Sequence, residues 1–180
     1  VAGDSTILID KAISMNLNNI AVGSIWDPVA VSLCCAAGEK ANVDLRFGGK
    51  VSSSGGSPIN KKVLVKKIVR NAFQSFGESF VPMGDSVCIA FDDIEVILNS
   101  NRCQTFSTDL FTELGVNISN KKILIIKSTN HFYNSFFPHV STIIYASIDG
   151  VYPNNPKKNK YTKLKRKIWP IVENPHVKSR

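Results

Sequence analysis

The chain has 180 residues, of which 43% are hydrophobic, and it carries a formal net charge of +8. This length is enough for one domain with its own core, and no apolar run approaches the roughly 18 residues that a membrane helix needs. The first residues, VAGDSTILIDKAI, lack a basic segment followed by an apolar core, so we expect no secretory signal there and no membrane partner.

The positive charge is confined to the end of the sequence. Residues 1–156 contain 13 Lys/Arg and 13 Asp/Glu, whereas residues 157–180 contain nine Lys/Arg and only Glu173, which gives 9 − 1 = +8. A body without net charge argues against nucleic acid as a partner. The basic end could still contact anionic partners in a salt-sensitive way, although a solvated terminus is the more ordinary interpretation.

The first half of the sequence alternates helices and strands. In GDSTILIDKAISMNL, apolar residues recur at helical spacing, and Asp4, Ser5 or Thr6 can cap the first turn. NIAVGSIW predicts a short strand. DPVAVSLCCAAG predicts a second helix, with Asp27 as N-cap and Pro28 at the first helical position. ANVDLRF alternates apolar and polar residues, as a half-buried strand does.

The middle of the sequence predicts strands and turns. GGKVSSSGGSPIN has the composition of a loop, and NKKVLVKKIVRNAF favours a strand. SVCIAF and IEVILNS flank Asp92-Asp93 and predict a hairpin.

The last part of the body returns to alternating elements. TDLFTELG predicts a short helix that begins at Ser107 or Thr108, and KKILIIKS predicts a strand covered on both faces. HFYNSFFPHV predicts a helix that Pro138 stops, and STIIYASI predicts a last strand. The pattern as a whole predicts an α/β fold: a three-layer domain with a mixed sheet, helices on both faces and a β-hairpin-rich middle.

Familiar catalytic and metal-binding motifs are absent from the sequence. There is no HExxH, and His131, His139 and His176 are too far apart to form a local ligand set. A zinc site built from this chain alone would need distant carboxylates such as Asp92, Asp93 or Asp149, and we disfavour it. There is no G-x-S-x-G elbow, and GGKVSSSGG lacks the Ser or Thr that must follow the lysine of a phosphate loop.

Two predicted helix starts can receive an anion or simply be capped. Gly3-Asp4-Ser5-Thr6 and Ser128-Thr129-Asn130-His131 place polar residues beside unpaired N–H groups, and ordinary capping is the favoured explanation. Lys127 follows a buried strand, where open α/β sheets bind ligands. Arg102, Gln104 and Thr105 follow the strand IEVILNS and face either solvent or a ligand.

Seven short segments along the chain form a recognisable ordered set. The segments are Gly3-Asp4-Ser5-Thr6, Ile25-Trp26-Asp27-Pro28, Ala37-Gly38-Glu39, Gly48-Gly49-Lys50, Arg102-Cys103-Gln104-Thr105-Phe106, Lys127-Ser128 with His131-Phe132, and Ile168-Trp169-Pro170. Taken in this order they resemble the C-terminal domain of the microcystinase C (MlrC)-type zinc metallopeptidase family. The resemblance extends from about residue 3 to residue 170.

The resemblance implies a zinc-dependent hydrolase of peptides whose zinc ligands belong to an N-terminal metallopeptidase domain, outside this chain. No cofactor is then expected in this chain alone, and the sequence would begin inside the interdomain connection. Residues 1–170 would form the C-terminal domain and residues 171–180 a basic tail. The resemblance also makes Asp4, Ser5, Thr6, Arg102 and Gln104 candidates for substrate binding. Lys127 and His131 become candidates for a catalytic role.

Two functions from different classes follow. In the first, this domain shapes the substrate cleft of a two-domain peptidase and is inactive without its N-terminal partner. In the second, it is a stand-alone anion- or partner-binding module with a basic tail. The four cysteines sit among apolar residues as buried free thiols do, which indicates a reduced, cytoplasmic protein.

Overall fold

The computed structural model of the chain describes residues 3–146, 157 and 161–176. The chain divides into two compact units, Val1–Ile143 and Ile144–Arg180. Within the described residues, no helix is long and apolar enough to cross a membrane. The elements of the first unit, in chain order, are α1 (Ile7–Ser14), β1 (Ile20–Trp26), α2 (Pro28–Ala37), β2 (Asn42–Phe47), β3 (Ile59–Phe76), β4 (Ser79–Phe91), β5 (Ile94–Asn99), α3 (Asp109–Thr112), β6 (Ile123–Ile126) and α4 (Tyr133–Phe136).

A six-stranded mixed sheet forms the centre of the first unit, with the strand order β2-β3-β4-β5-β1-β6. β1 pairs in parallel with both β5 and β6, whereas the β2–β3, β3–β4 and β4–β5 pairs are antiparallel. Strands β5, β1 and β6 therefore end at the same edge of the sheet. This edge is where the segments that follow those strands meet.

One face of the sheet packs against α1 and α2. Ile9 and Ala12 of α1 join Val31 and Cys34 of α2 in a core cluster with Val22 of β1. The cluster also includes residues of β2 and β3, so these two strands contribute to the core on the same face of the sheet. These residues are Leu45, Phe47, Ile59, Val63 and Val65. The second helix has the predicted boundaries, because the Asp27 side chain accepts a hydrogen bond from the Ala30 N–H and Gly38 caps the end.

The opposite face packs against the two short helices. Leu110 and Phe111 of α3 and Phe136 of α4 are buried with Ala21 of β1 and Ile97 of β5. Adjacent residues of β1 thus belong to different cores, as the two-residue period of a strand requires. The predicted three-layer α/β fold, with a mixed sheet and helices on both faces, is confirmed.

The middle of the fold is a pair of hairpins. The strand predicted from NKKVLVKKIVRNAF lies within the long strand β3. β3 forms an antiparallel hairpin with β4, with Gly77 and Glu78 at the turn. The β4–β5 hairpin turns at Asp92 and Asp93, whose φ angles are 45° and 61°. Positive φ at both central residues suits the right-handed twist of the flanking strands, and aspartate tolerates it better than most residues.

Strand β6 forms as predicted, but it is only partly covered. Ile123 and Ile125 pack against the first core, and Leu124 and Ile126 pack against the second. All four side chains remain half-buried. These side chains are only half-buried because, in the described part of the chain, β6 is an edge strand that pairs with β1 alone.

Three other predictions need correction. Asp4, Ser5 or Thr6 was expected to cap α1 with its side chain. Thr6 lies at the N-cap position, but its side chain makes no capping hydrogen bond. Residues 141–146 of the predicted last strand are not in a strand, and residues 147 and 148 lie outside the described part of the chain. The helix predicted before Pro138 is a single turn, followed by a 3₁₀ turn over Phe137–His139.

Candidate functional site

The segments that follow the three parallel strands meet at one edge of the sheet. Trp26 ends β1 opposite Asn99 of β5, and Gly23 of β1 pairs with Ile126 of β6. Lys127 extends this parallel ladder, because its N–H donates to the Gly23 carbonyl at 3.0 Å. Carboxyl ends of parallel strands are the usual place for a ligand in an open α/β sheet.

Lys127 fastens the segment before α1 to this edge. Its Nζ donates to the carbonyl oxygens of Gly3 at 2.7 Å and of Ser5 at 3.3 Å. Burial lowers the pKa of Lys127 to about 8; the Asp4 carboxylate opposes this and the Arg102 charge adds to it. Lys127 and residues 3–5 therefore meet at this edge of the sheet.

Asp4 organises the glycine-rich loop rather than the helix. Its Oδ2 accepts hydrogen bonds from the N–H groups of Lys50 at 2.6 Å and Val51 at 2.8 Å. Its carbonyl oxygen accepts from the Gly49 N–H at 2.7 Å. The φ of Gly49 is +57°, and a Cβ there would lie 2.5 Å from the Ser57 carbonyl carbon, so the close approach requires glycine.

Thr6 is buried and ties α1 to the same loop. Its Oγ1 donates to the Ser57 carbonyl at 2.7 Å, and its N–H donates to the Gly55 carbonyl at 2.9 Å. Ser5 is half-buried, and its carbonyl is one of the two that bind Lys127. Thus Asp4, Ser5 and Thr6 hold the loop and the strand edge together through main-chain and side-chain contacts.

Asp27 and Lys50 form an ion pair that the sequence analysis did not predict. Lys50 Nζ lies 2.8 Å from Asp27 Oδ2, which also accepts from the Gly48 N–H at 2.9 Å. Asp27 was recognised only as the N-cap of α2. A carboxylate that follows a strand and precedes Pro at the first helical position serves the cap with one oxygen, which leaves the other oxygen for a second partner.

Arg102 lies on the surface of the same edge. Its guanidinium carbon is 5.5 Å from the centre of the Trp26 ring, a cation–π distance. Trp26 is held by a hydrogen bond of 3.0 Å from its indole Nε1 to the Ser100 carbonyl. Gly3 is a neighbour of Arg102 as well, since a Cβ built on Gly3 would lie 3.8 Å from Arg102 Nη2.

Gln104 joins the segment after β5 to the segment after β6. Its Oε1 accepts from the Ser128 hydroxyl at 3.2 Å, and its carbonyl accepts from Gln74 Nε2 at 2.7 Å. Gln74 Oε1 in turn accepts from the Phe106 N–H at 2.8 Å, and Gln74 is fully buried. Sequence reasoning missed Gln74, and its signal was a polar residue at an inward position of a long strand.

His131 does not join Lys127 and Asp4 in one hydrogen-bonded cluster. The side chain is exposed, and its described contacts are to two aromatic rings: Phe76 at 5.2 Å and Phe106 at 5.8 Å between centroids. Phe76 and Phe106 are themselves 4.7 Å apart. His131 thus completes a small aromatic cluster with Phe76 and Phe106, and its catalytic role stays a prediction.

The carboxylates considered for zinc lie elsewhere. Asp92 and Asp93 are at the β4–β5 turn, the opposite end of β5 from Arg102. Asp92 pairs with Lys61 at 2.5 Å, and Asp93 accepts from the Asn19 N–H at 2.8 Å. Asp149 lies outside the described residues. Among the residues that the structure does describe, no three His, Cys, Asp or Glu side chains are placed to hold a metal ion.

The four cysteines are free, and their environment disfavours the thiolate. Burial raises the pKa of Cys34 to about 11 and that of Cys88 to about 12. Burial also raises the pKa of Cys103, although hydrogen bonds oppose it. These thiols lack the depressed pKa of a nucleophile.

Comparisons with known proteins agree with this architecture. Residues 1–163 match the family described as MlrC C-terminus. Microcystinase C from Sphingomonas sp. is 30% identical over 170 residues, which cover 94% of this chain and 33% of that protein. A solved structure from Mesorhizobium sp. BNC1, named "Putative metallopeptidase", has a TM-score of 0.81 at 23% identity and shares the fold. The match covers 94% of this chain and 35% of that one.

The chain therefore spans about a third of the length of these two relatives. The family match covers the whole of the compact unit Val1–Ile143 and every residue of the sheet edge described above. The chain belongs to the MlrC C-terminus family.

Proposed function

We propose that this chain is the C-terminal domain of a zinc-dependent, metallopeptidase-like hydrolase of peptides and that its sheet edge forms one wall of the substrate cleft. The observation that carries the proposal is the meeting of the family segments after β1, β5 and β6 at one edge. Family membership and the similarity to Microcystinase C support the reaction class.

The metal would have to be bound by another domain, because the residues of this edge do not fit it. The Asp4 carboxylate accepts two main-chain N–H groups through one oxygen, and Asp27 is paired with Lys50. Lys127 and Arg102 add positive charge beside them. A divalent cation would have to displace these donors and overcome that charge.

Within this proposal the residues of the edge bind and orient the peptide. Arg102 and Gln104 lie on the segment after β5 and contribute hydrogen-bond donors. Lys127 holds residues 3–5 in place and adds positive charge that can stabilise developing negative charge on the substrate. His131, within its aromatic cluster, is better suited to contact an apolar part of the substrate than to transfer a proton. The four free cysteines support a reducing compartment such as the cytoplasm.

The proposal is tested by exchanging domains with the 30% identical relative. This chain replaces the C-terminal third of Microcystinase C, and hydrolysis of linear peptides is measured with zinc present. We expect turnover by the fusion protein and none by the 180-residue chain alone. Hydrolysis by the isolated chain would refute the proposal that another domain supplies the metal and this chain only a wall of the cleft. A folded, zinc-loaded fusion protein without turnover would refute the cleft function.

A further inference from the structure

We propose that the arm of the β3–β4 hairpin, residues 72–84, docks onto the domain that binds the metal; this inference rests on the proposed function. The hairpin arm carries exposed aromatic side chains and extends past the sheet edge that we assign to the cleft. Its position, its composition and the place of the domain connection together point to this partner.

The hairpin arm lies beyond the ends of the parallel strands. Ser86 of β4 pairs with Asn99, the last residue of β5, and the two strands are antiparallel. Residues 79–85 of β4 therefore lie past the carboxyl end of β5. Within the arm, β3 and β4 continue to pair with each other. A domain on the far side of the cleft would face this arm.

The hairpin arm is held in place along the β3 side. Gln74 Nε2 donates to the Gln104 carbonyl at 2.7 Å. The Ser75 N–H donates to Asp109 Oδ2 at 2.8 Å. An element that is fixed before it meets its partner loses less conformational entropy on docking. The arm is therefore a preformed binding element.

The hairpin arm exposes aromatic rings on one face. Phe80 is 75% exposed and Phe73 is 50% exposed. Phe73 pairs with Pro82, and Phe80 pairs with Ser75. The two rings are therefore diagonal neighbours across the hairpin. Because a phenylalanine can bury about 200 Å², these exposed fractions leave roughly 250 Å² of aromatic surface in water.

The chemistry and the shape of the hairpin arm favour a protein surface over a small ligand. Residues 72–84 contain a single charged residue, Glu78. Exposed apolar patches of a few hundred Å² mark contacts with other protein surfaces. A hairpin tip that extends past its sheet is convex, whereas sites for small ligands are concave. A domain surface with an apolar recess matches this tip.

The connection to a preceding domain would enter beside the hairpin arm. This chain covers 33% and 35% of its two longer relatives, so about two-thirds of their length is available for that domain. In the two-domain protein the connection leads to Gly3, whose carbonyl accepts from Lys127 Nζ at the sheet edge at 2.7 Å. A Cβ on Gly3 would lie 3.8 Å from Arg102 Nη2. Asn101, the residue before Arg102, donates its N–H to the Met83 carbonyl of the arm at 2.9 Å.

The test compares the 180-residue chain with the folded, zinc-loaded fusion protein described above. Hydroxyl-radical footprinting with mass spectrometry measures the oxidation rate of each side chain. We expect Phe73 and Phe80 to oxidise at least about fivefold more slowly in the fusion protein, because the core of an interface excludes water. Met15 is the internal reference and should oxidise equally in both proteins, since it is 56% exposed and precedes the amino end of β1.

Variants separate docking from general changes in exposure. In the isolated chain, Phe80→Ser should shift the melting temperature by no more than about 2 °C, because the ring is exposed. In the fusion protein the same change should return the oxidation of Phe73 towards its rate in the isolated chain. Leu33→Ser is the matched control, since Leu33 is 51% exposed on α2, and it should leave the protection of Phe73 unchanged.

Equal oxidation of Phe73 and Phe80 in the two proteins would overturn the docking. Protection that grows with the concentration of the isolated chain would also overturn it, because the partner would then be a second copy. Protection of the isolated chain by added linear peptide would assign the hairpin arm to the substrate instead.

The docking and the cleft function fail in different ways. A fusion protein that hydrolyses peptides with unprotected rings would remove the docking and leave the cleft function standing. A folded, zinc-loaded fusion protein with protected rings but no turnover would remove the cleft function and keep the docking.

Discussion

Lys127 gives the structure a pH dependence whose sign and size can be stated in advance. Replacing it with Met removes the ammonium and keeps most of the side-chain volume. In the folded chain the pKa of Lys127 falls from 10.5 to about 8, mainly through burial. The Asp4 carboxylate acts against this fall and the Arg102 guanidinium adds to it. An unfolded lysine keeps its ordinary value near 10.4.

The sign follows from proton binding. Between pH 8 and about 10.5 the unfolded chain holds a proton on this lysine that the folded chain has released, so stability rises with pH across this interval. The stabilisation that comes from deprotonated Lys127 is complete above the pKa of the unfolded lysine and is lost as the pH falls to 8. A difference of about 2.5 pH units corresponds to about 3 kcal/mol at about 1.4 kcal/mol per unit. The free energy of unfolding of the wild type should therefore gain up to about 3 kcal/mol relative to Lys127→Met.

The assay is urea unfolding at pH 7.5, 9 and 10.2 for both proteins, in a background in which Trp169→Phe leaves Trp26 as the fluorescent reporter. Other titrating groups are shared by the two proteins and cancel in the difference. Lys122→Met is the matched control, because Lys122 is exposed and should show no such trend. If Lys127→Met does not fold, Lys127→Arg keeps a charge at every pH and should also lack the rise. A difference that stays constant or falls with pH would refute the assignment of a buried, weakly protonated lysine.

Three further predictions concern stability and thiol chemistry. Asp27→Ala should lower the free energy of unfolding by about 2 kcal/mol or more, because it removes a helix cap and the partner of a lysine; Asp27→Asn, which keeps an acceptor, should cost less in the same urea assay. Gly23→Ala should destabilise by about 1–3 kcal/mol, since the new Cβ would lie 2.7 Å from Phe111 Cζ, and an unchanged melting temperature would contradict this packing. Cys34 and Cys88, whose pKa values are raised to about 11 and about 12, should resist a thiol reagent at pH 7.5 until urea is added, as counted by mass spectrometry.

Much of the fold could be predicted from the sequence because local chemistry and global packing agree there. Asp27, Pro28 and Gly38 bound α2 by their own backbone preferences, and the alternation in ANVDLRF matches the pleat of β2. The β4–β5 hairpin formed at Asp92 and Asp93 although they are weaker turn residues than Asn-Gly. The apolar strands on either side fix its register.

The failures occur where a side chain has a long-range partner. Asp4 and Thr6 look like caps for α1, yet they bind residues 49–57 of a loop more than 40 residues away, and no local pattern contains that pairing. The strand predicted from STIIYASI has β-branched residues but forms no strand over 141–146. Strand propensity reflects packing against neighbouring side chains more than an intrinsic backbone preference, so β-branched residues alone do not determine a strand.

In the candidate site, too, local features could be predicted and long-range contacts could not. Lys127 and Arg102 were singled out as candidates because they follow strands, whereas the contacts of Lys50 and Gln74 could not be predicted because their partners are distant in sequence. His131 lies in a ring cluster with Phe76 and Phe106, and these contacts could not be predicted from its position after β6. A histidine at a predicted helix start carries no information about which aromatic side chains will approach it from a remote hairpin.

The charges at the sheet edge favour a particular division of labour between this chain and any domain that adjoins it. The buried carboxylates of Asp4 and Asp27 already have partners, because Asp4 accepts two main-chain N–H groups and Asp27 is paired with Lys50. Lys127 and Arg102 are cations at the same edge, and positive charge there disfavours a metal ion. Within the proposed function, a metal that acts on the peptide would therefore be bound by ligands of another domain, and this chain would contribute only the opposite wall of the cleft.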